Sequence, residues 1–262
     1  MTDSHLQANV QLQDLQLGMA RALLGKPAWQ ALPPVQRSGT AWLQAVIDGL
    51  CEISQRDPLT GVANRRQLLT VLERELDRVA RSGDIALLLM LDVDHFKQVN
   101  DVHGHHAGDL VLQHLASTVQ DCIRPMDTVA RFGGEEFAVV LPACQPAYGL
   151  AVAERIRHAI EQQPIRISPV EEIHVTVSIG GAYALQWIRS TNELWIERAD
   201  QQLYHAKDEG RNCVHIEQQP DSTVTAEEKS LLFGELPLAS DAYAEEWPHT
   251  SSEPLNSTGS VN

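Results

Sequence analysis

The sequence predicts an α/β (α+β) domain over residues 55–217, a central, mostly antiparallel sheet flanked by helices that lie mostly on one face. Three features carry this expectation. IALLLML (85–91) is an uninterrupted apolar run of strand length. TVARF (128–132) and FAVVLP (137–142) bracket a Gly-Gly-Glu-Glu turn, as the arms of a hairpin do. Segments of helical period alternate with these runs, giving the order strand, helix, hairpin, helix, strand.

In chain order, residues 1–54 form a short helical region and linker. Leu6, Val10, Leu15, Met19 and Leu23 recur at helical spacing before GKPAWQALPP (25–34), where prolines break the helix. Leu43, Val46, Ile47, Leu50 and Ile53 then form an apolar stripe on a second helix ending near Arg56. That stripe either packs on its own domain or pairs with a second copy as a short parallel coiled coil. RRQLLTVLERELDRVA (65–80) is an amphipathic helix ahead of the apolar strand. GDLVLQHLASTVQDCI (108–123) and LAVAERIRHAIEQQ (150–163) are the next helices, one on each side of the hairpin. HVTVSIGGAYA (174–184) is a strand, ELWIERADQQLYHAKDEG (193–210) a helix closed by Gly210, and NCVHI (212–216) an edge strand. Residues 218–262 are rich in Ser, Thr, Pro and acids. From Glu217 onward nine acidic residues face only Lys229, which predicts a disordered acidic tail. Within it Thr225 and Glu228 have capping-box spacing, enough for a transient helix stopped by Gly234.

The net charge of −15 excludes a broad basic surface that wraps DNA or RNA, while leaving room for a small basic pocket. Cys51, Cys122, Cys144 and Cys213 are far apart and form no C-x-x-C pair, so no disulfide or zinc framework is expected. Such usage fits a reducing compartment. No long uncharged apolar stretch occurs, so no membrane span is expected and the protein is read as cytoplasmic.

Glu135 and Glu136 stand together at the turn, where like charges repel. Either the hairpin is solvated there or a cation belongs beside it. Asp92-Val93-Asp94 ends the apolar strand, and alternation places both aspartates on one face with Val93 turned away. Alone it could be a helix N-cap. Together, carboxylates at neighbouring strand ends make the hard-oxygen cluster that Mg2+ shares with phosphate oxygens and water. Neither G-x-x-x-x-G-K-[ST] nor G-x-G-x-x-G occurs, so phosphates must be held by metal and by individual lysines and arginines. His103, His105 and His106 lie close together, but no cysteine completes a tetrahedral set and zinc is not expected.

DPLTGVANRR, DVDHFKQVNDVHGHHAGD, RFGGEEF, VTVSIG and ADQQLYHAKDEGRN occur in this order across residues 57–216. With them the region resembles a GGDEF domain, the catalytic domain of diguanylate cyclases, in its GGEEF variant. The resemblance implies a palm-like nucleotide-cyclase fold that condenses two GTP into cyclic di-GMP and two pyrophosphates with Mg2+ or Mn2+. It implies that Asp92, the Val93 carbonyl and Glu135 bind the metal. Glu135 or Glu136 would accept the proton of the ribose 3′-hydroxyl, and Lys97 would meet the phosphates. Asn100 and Asp109 match guanine-reading positions, and His105 a position beside the nucleotide. Lys207 and Arg211 match the pair that holds the terminal phosphates, a role compatible with their other reading as helix C-terminal cations.

RPMD (124–127) stands where the family carries an R-x-x-D product-inhibition site. Arg124 and Asp127 would grip cyclic di-GMP there, and Arg155 resembles the arginine that completes the site; the plainer alternative is a surface ion pair. Catalysis would take a homodimer with its active half-sites face to face. The alternatives from other classes are an inactive cyclic di-GMP receptor and an interaction scaffold.

Overall fold

In chain order the elements of this computed structural model are α1 (Gly18–Ala31), α2 (Gly39–Gln55), β1 (Ala63–Asn64), α3 (Arg65–Ser82), β2 (Ala86–Val93), α4 (Phe96–His103) and α5 (His105–Asp121). They continue as β3 (Thr128–Arg131), β4 (Glu136–Leu141), α6 (Pro146–Gln162), β5 (Ile165–Ser168), β6 (Glu171–Ile173), β7 (Val177–Ala184), α7 (Asn192–Asp208) and β8 (Val214–Ile216). The structure describes residues 15–33, 39–184 and 190–218. Leu6, Val10 and the acidic stretch with Thr225 and Glu228 lie outside the described residues.

All eight residues of β2 are buried. It runs at the heart of a sheet ordered β1-β3-β4-β2-β7-β8. The β3–β4, β4–β2 and β2–β7 pairs are antiparallel, and only the edge pairs β1–β3 and β7–β8 are parallel. The expected gathering of helices on one face is overturned. Leu87, Leu89 and Leu91 belong to a cluster with Val111 and Leu115 of α5 and Val152 and Ile156 of α6. Leu88 and Met90 belong to a second cluster with Leu68 and Leu72 of α3 and Trp195 and Leu203 of α7. An apolar run without alternation has no side to give to water, so both faces must be covered.

Three further details depart from expectation. Phe96–His103 is a helix of its own, and α5 starts at His105 rather than Gly108. The strand expected over 174–184 begins at Val177; residues 174–176 are irregular, and a separate two-stranded sheet, β5–β6, precedes them. The break expected across 25–34 shrinks to a kink at Gly25, after which α1 continues through Pro27 to Ala31.

Helix α1 packs back along α2: the Trp29 and Trp42 rings meet edge to face at 5.4 Å, and Leu24 covers Gly49. Trp42 and Val46 are thereby buried, while Ile47 and Ile53 of the same stripe stay exposed. Helix α7 lies so close to β7 that a Cβ on Gly180 would stand 2.0 Å from the Leu203 backbone nitrogen. This contact sets the height of α7 over the sheet and so the position of Lys207. Among the described residues no helix is long and apolar enough to cross a membrane.

Candidate active site

Strand register builds the site. Asp92, near the end of β2, stands opposite Glu136 of β4 on one side and Ser178 of β7 on the other. From α7 the Lys207 Nζ reaches Asp92 Oδ2 at 2.9 Å. Burial pushes the Asp92 carboxyl above its ordinary pKa; the Lys207 ammonium opposes this and the neighbouring Asp94 adds to it. Glu135 is also raised, first by burial and then by the charge of Asp92, with Lys207 opposing and Glu136 adding.

The turn that carries the glutamates is locked from behind. Arg131 Nε and Nη2 both donate to the Gly134 carbonyl, at 3.1 and 2.7 Å, and its Nη1 donates to Asp57 Oδ1 at 3.2 Å. The backbone N–H groups of Phe132 and Gly133 both donate to the Glu136 carbonyl. A Cβ on Gly133 would meet Glu136 Oε2 at 2.4 Å, so the Glu136 carboxylate lies folded directly over Gly133. Asp57 and Arg131 belong to the quoted motifs, yet nothing in the local pattern announces that they pair.

Asp94 behaves differently from its expected companion. It is buried, its Oδ1 accepts from Ser178 Oγ at 2.6 Å, and its Oδ2 accepts from Thr176 Oγ1 at 2.6 Å and from the Asn212 backbone N–H at 3.0 Å. These donors occupy both oxygens, so Asp94 is not part of an open hard-oxygen cluster. Another acid enters from α7. Asp200 is raised by burial and by Glu136, with Lys207 opposing, and spacing had not singled it out.

The other expected residues fall into three groups. Arg211, just after α7, is exposed and its charge acts on Asp92. Asn100 of α4 lies against Gly108, so closely that a Cβ there would meet its Oδ1 at 2.1 Å, which sets it beside exposed Asp109. Lys97 and His105 are exposed on the first turns of α4 and α5. His103 pairs with Glu171 of β6 at 3.1 Å.

Apart from these, Arg124, Asp127 and Arg155 do come together. The Arg124 guanidinium lies 3.5 Å over the Tyr148 ring, Asp127 Oδ2 accepts from the Arg124 backbone N–H at 2.8 Å, and Arg155 donates twice to the Cys122 carbonyl. Burial raises the Asp127 carboxyl, against the pull of both arginines. Its Oδ1 is buried without a hydrogen-bond partner. The surface-ion-pair alternative therefore does not describe Asp127, which caps a turn from a largely buried position.

Among the described residues no three His, Cys, Asp or Glu side chains form a ready-made metal cage. Carboxylates gathered at a strand end suit a hard divalent ion that takes its remaining ligands from phosphate and water. The sequence over residues 54–213 matches the family described as diguanylate cyclase, GGDEF domain. The chain belongs to the GGDEF family.

Relatives of this GGDEF domain include diguanylate cyclase A of Treponema denticola, 38% identical over 170 residues, covering 64% of this chain and 45% of that protein. Diguanylate cyclase DgcP of Pseudomonas aeruginosa is 44% identical over 160 residues, covering 61% of this chain and 23% of that protein. The chain thus spans less than half the length of either. Among solved structures, the coiled coil and GGDEF domain of DgcB from Caulobacter crescentus, in complex with c-di-GMP, matches with a TM-score of 0.65 at 30% identity. That match covers 70% of this chain and 95% of the other.

Proposed function

We propose that this GGDEF domain is a cytoplasmic diguanylate cyclase, condensing two GTP into cyclic di-GMP and two pyrophosphates with Mg2+ or Mn2+. The observation that carries the reading is the strand mouth where Asp92 stands opposite Glu136, with Glu135 adjacent and the Lys207 ammonium at 2.9 Å. Asp92, Glu135 and the Val93 carbonyl hold the divalent ion, which when bound supplies charge neutralisation at the reacting phosphate. Glu135 or Glu136 takes the proton of the 3′-hydroxyl. Lys97 meets charge developing on the phosphates. Lys207 and Arg211 hold the terminal phosphates, and His105 lies against the nucleotide. Asn100 and Asp109 pair with the guanine edge, a polar reader that rejects adenine because the wrong base leaves its groups unpaired.

Each protomer holds one GTP, so two protomers meet face to face, each 3′-hydroxyl attacking the α-phosphate held by the other. Arg124, Asp127 and Arg155 bind the product and slow synthesis. The buried, unpartnered Oδ1 of Asp127 supports this, since a guanine N–H would satisfy it. Incubation with GTP and Mg2+, followed by chromatography, tests the proposal: cyclic di-GMP should form and a chelator should stop it. Binding of cyclic di-GMP without synthesis would make the chain a receptor, and neither result would leave a scaffold.

A further inference from the structure

We infer that Asp94 is a positioning residue that clamps the turn after α7 and thereby aims Arg211 at the terminal phosphates. This rests on the nucleotide reading above and assigns a task to a carboxylate which that reading leaves idle. The turn is unusual: Gly210, Arg211 and Asn212 follow one another with φ of 113, 68 and 47°. Glycine adopts that region freely and asparagine more readily than most residues, but arginine does so only when the surroundings hold it there.

Two sets of contacts hold them. The Asn212 backbone N–H donates to Asp94 Oδ2, a charge-assisted bond to a buried carboxylate whose other partners, Thr176 and Ser178, fix its rotamer. The Asn212 side chain is tied to α6, donating from Nδ2 to Glu161 Oε1 at 2.7 Å and accepting on Oδ1 from Arg157 Nη1 at 2.9 Å. The strand end that carries Asp92 thus also carries the anchor of the cation next to it. Arg211 points outward from a backbone that cannot relax, and Lys207 sits one turn earlier on the same helix end. A preorganised cation loses less freedom when it meets a phosphate than one on a mobile turn.

The test is calorimetric binding of a non-hydrolysable GTP analogue and of GMP to the full chain with saturating Mg2+. GMP lacks the terminal phosphates, so a clamp acting through Arg211 affects only the analogue. Asp94→Ala should weaken the analogue roughly tenfold, as loss of a charge-assisted hydrogen bond does, and leave GMP within about twofold. Asn212→Gly loses the side-chain ties to α6 but keeps the N–H donor to Asp94 and the left-handed turn, so if the Asp94 bond is the clamp it should retain most of the parent's preference for triphosphate. Asn212→Val, whose branched side chain resists positive φ, should lose that preference. The Asn212 pair decides the matter even if Asp94→Ala does not fold. Equal losses for both nucleotides, an unchanged preference in Asn212→Val, or a lost preference in Asn212→Gly would overturn the clamp. A parent that binds neither nucleotide would overturn the cyclase reading itself, and the clamp with it.

Discussion

Gly180→Ala puts the seating of α7 under direct strain. The added methyl carbon would lie 2.0 Å from the Leu203 nitrogen and 2.5 Å from the Ala199 oxygen, where ordinary contact begins near 3.4 Å. Both obstacles are backbone, so no side chain can swing aside. Helix α7 has to retreat from β7 by about 1 Å, and overpacking of this kind costs about 1–3 kcal/mol, with a backbone clash at the upper end. For a domain of this size each kcal/mol lowers the melting temperature by roughly 2–4 °C, so a loss of roughly 6–12 °C is expected. The same retreat draws Lys207 away from Asp92, and a displacement near 1 Å in a catalytic constellation costs about a hundredfold in rate. Circular-dichroism melts and the rate of cyclic di-GMP synthesis read the two effects separately. A variant that melts within about 2 °C of the parent and keeps its rate would refute the close-packing argument.

Two other outcomes are expected. Glu135→Gln should abolish synthesis, yet melt no lower than the parent in metal-free buffer at neutral pH. Because the folded pKa of Glu135 lies above its unfolded value, ionised Glu135 costs stability, and that cost disappears as pH falls through the folded pKa. The variant's advantage should therefore vanish in acid; a melt well below the parent's at neutral pH would assign Glu135 a structural task instead. Arg124→Ala should start at the parent's rate but no longer slow as product accumulates, and equal inhibition of both by added cyclic di-GMP would place control elsewhere.

Where the sequence was legible, the information was local. An unbroken apolar run ending in Asp92, and two glycines ahead of Glu135, name a strand end and a turn without any knowledge of what lies opposite. The partners of Asp94 are 82, 84 and 118 residues away, in Thr176, Ser178 and Asn212, so its spacing from Asp92 pointed to metal binding when its environment makes it an anchor. Arg131 and Asp57 are likewise 74 residues apart. The placement of helices on both faces was written in β2, whose composition offers no polar side. The β5–β6 hairpin was missed because its strands are only four and three residues long.

The contrast between the two aspartates of one strand end bears on why the proposed site would take a cation. Asp94 is buried and served by three donors, so both its oxygens are satisfied within the fold. Asp92, Glu135 and Asp200 are each raised by burial, and each is relieved by the same Lys207. Lys207, with Arg211 acting on Asp92 alone, cannot neutralise three carboxylates with Glu136 beside them. The sheet beneath keeps these groups in place at that cost, because β2 is covered on both faces and the turn is clasped by Arg131. On the proposed reading a divalent ion would complete the charge balance, and protons would compete with it for the same oxygens. Metal affinity should therefore fall as pH drops toward the raised carboxyl pKa values, before the fold itself is lost.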